Sequence, residues 1–73
     1  MAVKEIKSVI AGKVWKLTCK AGDRLAGDDP LMILESMKME IPVPAPGHCT
    51  VKQILVQEGE HITEGQTVAH IEN

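Results

Sequence analysis

The sequence predicts an all-β fold: two antiparallel four-stranded sheets packed face to face as a sandwich or flattened barrel, with a pseudo-two-fold internal repeat. Three observations lead to this fold class. No stretch has apolar residues at helical spacing over a useful length. Short runs rich in Val, Ile and Thr are separated by turn signals every ~8–12 residues, which indicates about eight short strands. The two halves of the chain also repeat one pattern.

The internal repeat emerges when the chain is shifted by 37 positions, which lays residues 12–35 on residues 49–72 without a gap. Apolar, glycine and acidic positions coincide along this alignment, although few residues are identical. Two copies of one supersecondary unit leave such a pattern. The matched pairs are Val14 with Val51, Leu17 with Ile54, Gly22 with Gly59, Asp23 with Glu60, Leu25 with Ile62, Leu31 with Val68, Leu34 with Ile71 and Glu35 with Glu72.

The first strand is predicted around residues 3–6, and the second over residues 12–19. In the second strand the apolar positions change phase between Val14 and Leu17, and the same change recurs in the other half of the chain. A slip of one residue moves every following side chain to the opposite face of a strand. The repeated change therefore predicts a bulge or bend in both copies.

The remaining segments are short turns and strands. Glycine supplies left-handed backbone conformations in turns, and proline removes a ladder donor, so both residues mark where strands stop. The predicted turns are residues 20–23, 27–30, 58–60 and 64–66; the minimal strands are residues 24–25 and 61–62; the closing strand of each unit is residues 31–35 and 68–72; and a rigid proline corner between the units spans residues 44–47.

The middle of the chain predicts a hairpin that breaks the usual turn rules. An apolar run leads into Lys38, and the alternating pattern of residues 39–43 leaves it. Tight two-residue turns need positive φ and favour Asn-Gly or Gly-containing pairs, whereas the turn pair here is Met37 and Lys38. This register also places Glu35 opposite Glu40, where like charges repel. Local violations of this kind concentrate at functional sites, so Lys38 is the candidate functional residue.

Residues 35–39, with the sequence Glu-Ser-Met-Lys-Met, resemble the target motif of biotin carboxyl carrier domains, in which a lysine between two methionines is acylated by biotin. That family usually has Ala in place of Ser36. Related lipoyl domains also present a lysine at a hairpin tip, but usually with an acidic residue before it. The resemblance covers essentially the whole chain. It implies the biotinyl/lipoyl domain fold, with the Lys38 hairpin at one end and both termini at the other.

The chain departs from the family pattern in two further places. Cys49 stands where such carriers often have Gly. The connection at residues 18–20 is short, so we expect no counterpart of the protruding loop that some bacterial biotin carriers have, and none of its contacts with biotin.

The resemblance implies a carrier role in a biotin-dependent carboxylase system. A biotin protein ligase would attach biotin covalently to Lys38, and a biotin carboxylase and a carboxyltransferase would then use the attached biotin as a carboxylate carrier. The chain contains no nucleophile–base pair and no phosphate loop, so we expect it to be non-catalytic by itself. The expected ligase-recognition residues are Glu35, Ser36, Met37, Met39 and Glu40.

Two alternatives stay open. The chain could be a lipoyl carrier for acyl or aminomethyl transfer, with lipoate on Lys38, although the flanking methionines favour biotin. It could also be an unmodified small β-domain used for binding or assembly, which would fit if Lys38 stays a free amine.

Length and composition bound the remaining possibilities. The 73 residues are expected to form a single domain, residues 1–73. A net charge of −2, scattered charges and a lone aromatic residue, Trp15, argue against nucleic-acid binding. No apolar run approaches the ~20 residues of a membrane span. The start of the chain lacks the signal-peptide pattern and begins with Met. We therefore expect a stand-alone, cytoplasmic protein that is monomeric in isolation.

Cysteines and histidines do not suggest a metal or redox site. Cys19 and Cys49 form no CxxC motif, and a cytosolic setting argues against a disulfide. The three histidines, His48, His61 and His70, do not have ligand spacing, so no metal site is expected.

Overall fold

The computed structural model describes residues 2–73, which form eight strands in two antiparallel four-stranded sheets. The strands are β1 (Val3–Lys7), β2 (Gly12–Leu17), β3 (Arg24–Leu25), β4 (Pro30–Ser36), β5 (Met39–Pro44), β6 (Cys49–Ile54), β7 (His61–Ile62) and β8 (Thr67–Glu72). One sheet has the strand order β1-β8-β6-β3, and the other has the order β5-β4-β2-β7. The predicted fold class is confirmed. Residues 2–73 contain no helix that could cross a membrane.

The internal repeat relates the two sheets strand by strand. A shift of 37 positions takes β1 to β5, β2 to β6, β3 to β7 and β4 to β8, so the order of one sheet becomes the order of the other. The repeat therefore includes β1 and β5, which the sequence alignment did not reach. Each sheet contains two strands from each half of the chain, so neither half can complete a sheet alone.

Matching bulges interrupt the two long ladders. The ladder between β2 and β4 skips Trp15, and the ladder between β6 and β8 skips Lys52, which is the position equivalent to Trp15. Each bulge allows the strand to keep an apolar residue on the inner face on both sides of the interruption. The change of phase predicted from the sequence is thus confirmed in both halves.

Acidic side chains stabilise equivalent turns in the two halves of the chain. A carboxylate oxygen of Asp23 accepts a hydrogen bond of 3.0 Å from the backbone N–H of Lys20. At the equivalent turn, a carboxylate oxygen of Glu60 accepts one of 3.1 Å from the N–H of Gln57. Side chains that bind a nearby backbone N–H stabilise such turns, which explains why the acidic position recurs.

Several predicted boundaries are wrong by one or two residues; β4 and β8, for example, each begin one residue earlier than predicted. The second strand ends at Leu17 and not at residue 19, because the chain leaves the regular ladder at Thr18. The hydroxyl of Thr18 donates a hydrogen bond of 2.7 Å to the carbonyl of Pro30, and the turn before β3 begins at once. The proline corner is also shorter than predicted, since Pro44 belongs to β5.

The core lies between the two sheets and consists of aliphatic side chains together with the sulfur-containing Met32 and Cys49. Ser8 is a buried polar residue, and its hydroxyl donates a hydrogen bond of 2.5 Å to the carbonyl of Ile10. Every buried side-chain nitrogen or oxygen within residues 2–73 has a hydrogen-bond partner. The buried apolar residues are Val14, Leu31, Met32, Leu34, Val43, Ala45, Cys49, Val51, Val56, Ile62, Val68, Ala69 and Ile71.

The described ends of the chain meet at one end of the sandwich. The backbones of Ala2 and Asn73 exchange two hydrogen bonds of 3.1 Å each. Under the internal repeat these residues correspond to Met39 and Ser36, which pair at the base of the central turn. The molecule measures 36 × 18 × 17 Å. The central hairpin and the paired chain ends therefore occupy equivalent, opposite positions, as the resemblance implied.

We expect Gly12→Ala to lower the free energy of unfolding by about 1–3 kcal/mol, the usual cost of overpacking. A Cβ at Gly12 would lie 2.7 Å from the carbonyl oxygen of Glu35, so one of the two strands must move. Gly47→Ala is the control, because a Cβ there would have no heavy atom within 4 Å. Urea denaturation followed by circular dichroism measures both variants. Equal stability of the two would contradict the close approach of β2 to β4.

The two thiols predict a loss of stability in alkali. Burial raises the pKa of Cys19 above the ordinary value of 9.0, and Asp23 and Cys49 raise it further; burial also raises the pKa of Cys49. The folded state therefore holds these protons more tightly than the unfolded chain. The resulting stability is fully present below the unfolded value of 9.0 and is lost as the pH rises through the raised values.

Urea denaturation from about pH 8 to about pH 10.5 tests this linkage. We expect the wild type to lose more stability over that range than a Cys19→Ser, Cys49→Ala double variant, since all other alkaline groups are shared. Parallel pH profiles would rule out a contribution from the thiols.

Candidate functional site

The central hairpin contains the two-residue turn predicted from the sequence. In the ladder between β4 and β5, Glu35 pairs with Glu40 and Ser36 pairs with Met39. The ladder ends at that pair, so Met37 and Lys38 are the two turn residues, and their φ angles are 53° and 63°. Positive φ at both central positions defines a type I′ turn, whose twist matches that of the flanking strands.

This turn places unsuitable residues in a left-handed conformation. For residues other than Gly, Asn and Asp, that conformation costs roughly 1–2 kcal/mol each. Within residues 2–73, Asp28 also has a positive φ, of 70°. The equivalent position in the other half of the chain is Gly65, which has a positive φ as well. Asp is tolerated in such turns, whereas Met37 and Lys38 are not favoured. The hairpin tip is therefore strained, and strain of this kind indicates a functional constraint.

The side chains at the tip project into solvent. Met37 is 92% exposed and Met39 is 63% exposed, and Lys38 is also exposed. Packing in the turn therefore does not explain Met37. Lys38 forms no salt bridge with any described residue; Lys52 and Glu72 form one, with 3.7 Å between Nζ and a carboxylate oxygen. The amine is presented without a local partner.

The base of the hairpin brings the predicted recognition residues together. Glu35 and Glu40 are exposed and directly opposite each other, and half-buried Ser36 lies one position nearer the tip. On the other side of Glu35, the register continues to Lys13 and then to His61. These four side chains, three of them acidic or basic and the fourth a histidine, form a transverse row, called the charged row below, across the outer face of the sheet, because directly paired residues point to the same side.

Sequence reasoning missed the contribution of β2 and β7 to this row. Lys13 faces Glu35 across the ladder and offsets part of the repulsion between Glu35 and Glu40. The sequence carried no signal for this neighbourhood, since Lys13 and His61 are distant from the motif along the chain.

The rest of the described chain shows no second reactive cluster. Cys19 is half-buried, Cys49 is buried, and both are free thiols with raised pKa values. Within residues 2–73, no three His, Cys, Asp or Glu side chains group as metal ligands. The arrangement can therefore offer one exposed primary amine on a rigid turn, which suits a residue that another protein acylates.

Comparisons with known proteins agree with this geometry. The family model described as "Biotin-requiring enzyme" matches residues 2–71. The chain is 41% identical over 64 residues to the biotin/lipoyl attachment protein of Bacillus subtilis, covering 88% of each chain. It is 42% identical over 67 residues to the pyruvate carboxylase of the same species, covering 92% of this chain but 6% of that protein.

A solved structure also contains a region with the same fold. The crystal structure of the Kluyveromyces lactis urea carboxylase contains a region that superposes with a TM-score of 0.90 and 31% identity, covering 97% of this chain and 6% of that one. Nearly all of this chain thus matches about 6% of the length of each of these two carboxylases. The chain belongs to the biotin/lipoyl attachment family, whose domains carry covalently attached biotin or lipoate and are not catalytic by themselves.

Proposed function

We propose that this chain is a biotin carboxyl carrier module whose Lys38 is acylated by a biotin protein ligase. The observation that carries the proposal is the strained turn at the end of β4, which presents Lys38 between two exposed methionines. Such a turn costs stability, so its side chains are kept for recognition and modification rather than for folding.

The residues present fit a covalently attached acyl group. The amine of Lys38 is exposed and free of ion pairs within the described residues, so a ligase can reach it without breaking internal contacts. Lysine amines are largely protonated in water at pH 7, so the amine must lose a proton before it attacks an activated carboxylate. The new bond joins Nζ to the acyl carbon, and the activating group leaves. The product is a neutral amide, so the domain loses one positive charge.

The domain's own contribution after acylation is position. Attached biotin supplies the ring nitrogen that carries carboxylate. The Lys38 side chain forms the base of a flexible arm on a small rigid sandwich. Tethering of this kind raises the local concentration of the carried group at a biotin carboxylase and at a carboxyltransferase without new contacts. Two free thiols suit a reducing compartment, so we place this role in the cytoplasm, with the domain itself a monomer.

A lipoyl carrier is the second candidate. The name of the Bacillus subtilis relative covers both kinds of attachment. Met37, at the position before Lys38, favours biotin by the resemblance of the motif. Intact mass and peptide mapping of protein from its native host distinguish a biotinyl from a lipoyl increment on the Lys38 peptide, and a bare Lys38 beside an active ligase would contradict both carrier roles.

We expect Lys38→Arg and Lys38→Gly both to abolish acylation by a biotin protein ligase with biotin and ATP, measured by intact mass. Their stabilities should differ. Arg keeps the strained conformation and should change the free energy of unfolding by less than about 0.5 kcal/mol, whereas Gly should raise it by about 1 kcal/mol. Lys52→Arg, on the opposite sheet, serves as the control and should be acylated normally. A labelled Lys38→Arg variant would show that the acceptor is another lysine.

We expect Met37→Ala to leave the stability within about 0.5 kcal/mol of wild type, because the side chain is 92% exposed. Ligase recognition should weaken instead, with kcat/KM for acylation falling roughly tenfold, or about 1.4 kcal/mol. Val9→Ala is the matched control, since Val9 is an exposed apolar side chain (78%) outside the hairpin. Equal kcat/KM values for the two variants would remove Met37 from the recognition surface.

A further inference from the structure

We propose that the outer face of the β5-β4-β2-β7 sheet is a docking surface for the enzyme that acylates Lys38, with Trp15 as its anchor. The inference deepens the proposed function and rests on it. The surface consists of Trp15, Ile33 and Pro42, and is called the Trp15 patch below.

The bulge in β2 turns Trp15 outward. Val14, on one side of it, is buried, while Trp15 and Lys16 are both exposed, so two successive side chains face solvent. Lys16 pairs with Ile33, and Ile33 pairs with Pro42 on the edge strand β5. Exposed Trp15, half-buried Ile33 and exposed Pro42 therefore lie on the same face on three successive strands, with Lys16 beside them, and the indole stays 51% exposed.

The internal repeat provides a matched comparison for this patch. The equivalent positions on the outer face of the other sheet hold Lys52, His70 and Glu5 in place of Trp15, Ile33 and Pro42. These residues occupy the same bulge and the same ladder register, and Lys52 also forms a salt bridge with Glu72. The fold thus accepts polar side chains at all three positions. An apolar patch on one face alone is a feature of binding rather than of folding.

The patch lies on the sheet that contains the acceptor hairpin. Ile33 is three residues from Ser36 along β4, so it lies about 10 Å from the end of the ladder at ~3.3 Å per residue. An interface of ordinary size covers ~800 Å² on each partner. A protein that surrounds the hairpin tip therefore reaches the Trp15 patch within one contact area.

The acylating enzyme is the partner that must make this contact. The unmodified Lys38 amine sits on a short four-carbon stem, so the active site has to approach the domain surface itself. Enzymes that act later meet the carried group at the end of a long arm and have less need of the domain surface. Tryptophan is enriched among the residues that dominate protein–protein interfaces.

The charged row between the tip and the patch fixes the register of such a partner. His61 and Lys13 lie at one side of the row, and Glu35 and Glu40 lie at the other. The expected partner surface therefore has an apolar socket for the indole and cationic side chains facing the two glutamates. Charges of this kind set orientation more than affinity.

The test replaces patch residues by those that the other sheet has at the same positions. We expect Trp15→Lys to raise the KM of the domain for the biotin protein ligase of the same organism roughly tenfold, with kcat within about twofold of wild type. Pro42→Glu, on the exposed edge, is the second variant and should act in the same direction. Lys52→Gln is the control at the position equivalent to Trp15 and should leave KM unchanged. Circular dichroism establishes that each variant is folded.

The outcomes separate this inference from the proposed function. If wild type is acylated and both folded patch variants keep its KM, the docking surface is overturned and the carrier role stands. If sedimentation shows a wild-type dimer that Trp15→Lys dissociates, the patch is a self-association surface and the inference is again overturned. If neither a biotin protein ligase nor a lipoate ligase acylates wild type, both proposals fail.

Discussion

The backbone ladder between β4 and β5 holds Met37 and Lys38 in a conformation that neither residue prefers. Its register is fixed by burial, because Leu34 and Val43 face the core from the two strands. A slip of one residue would turn both side chains into solvent, at a cost of roughly 1.5–3 kcal/mol for each. That cost is comparable to the strain of the two turn residues. The core therefore determines the turn, and the turn presents the lysine.

The pseudo-two-fold arrangement makes two equivalent ends, and the chain uses them differently. At one end Ser36 and Met39 are joined by a two-residue turn, while at the other Asn73 and Ala2 meet as the described ends of the chain. Since each sheet draws strands from both halves, the scaffold is interlocked and both ends are equally supported. The features that distinguish the hairpin end are therefore additions to a symmetric frame rather than requirements of it.

Three departures from the internal symmetry lie on the sheet that contains the acceptor turn, and the turn is one of them. The close approach of β2 to β4 requires Gly12, whereas the equivalent residue in the other half is the buried Cys49. The apolar Trp15 patch has a polar counterpart on the opposite sheet. The turn itself has no counterpart within the described residues. A carrier needs a rigid support and one accessible amine, and the site contains those elements without the acid–base pairs that catalysis would require.

The sequence by itself determined the fold class, the repeat, the bulges, the turn pair and the identity of the candidate lysine. These features follow from local rules: the two-residue period of strands, the backbone needs of turns and the recurrence of apolar positions at a fixed spacing. It also determined the opposition of Glu35 and Glu40, since a two-residue turn fixes the register of its hairpin.

Only the tertiary structure decided which strands are neighbours, and therefore which residues surround Lys38. Periodicity states which face of a strand is buried but not which strand lies beside it, because that choice depends on contacts between residues far apart in the chain. The placement of Lys13 and His61 beside Glu35, and of Trp15 on the same face as the hairpin residues, depends on the interleaving of the two halves. The sequence pattern thus identified the lysine, and the long-range pairing of strands built the surface by which another protein would recognise it.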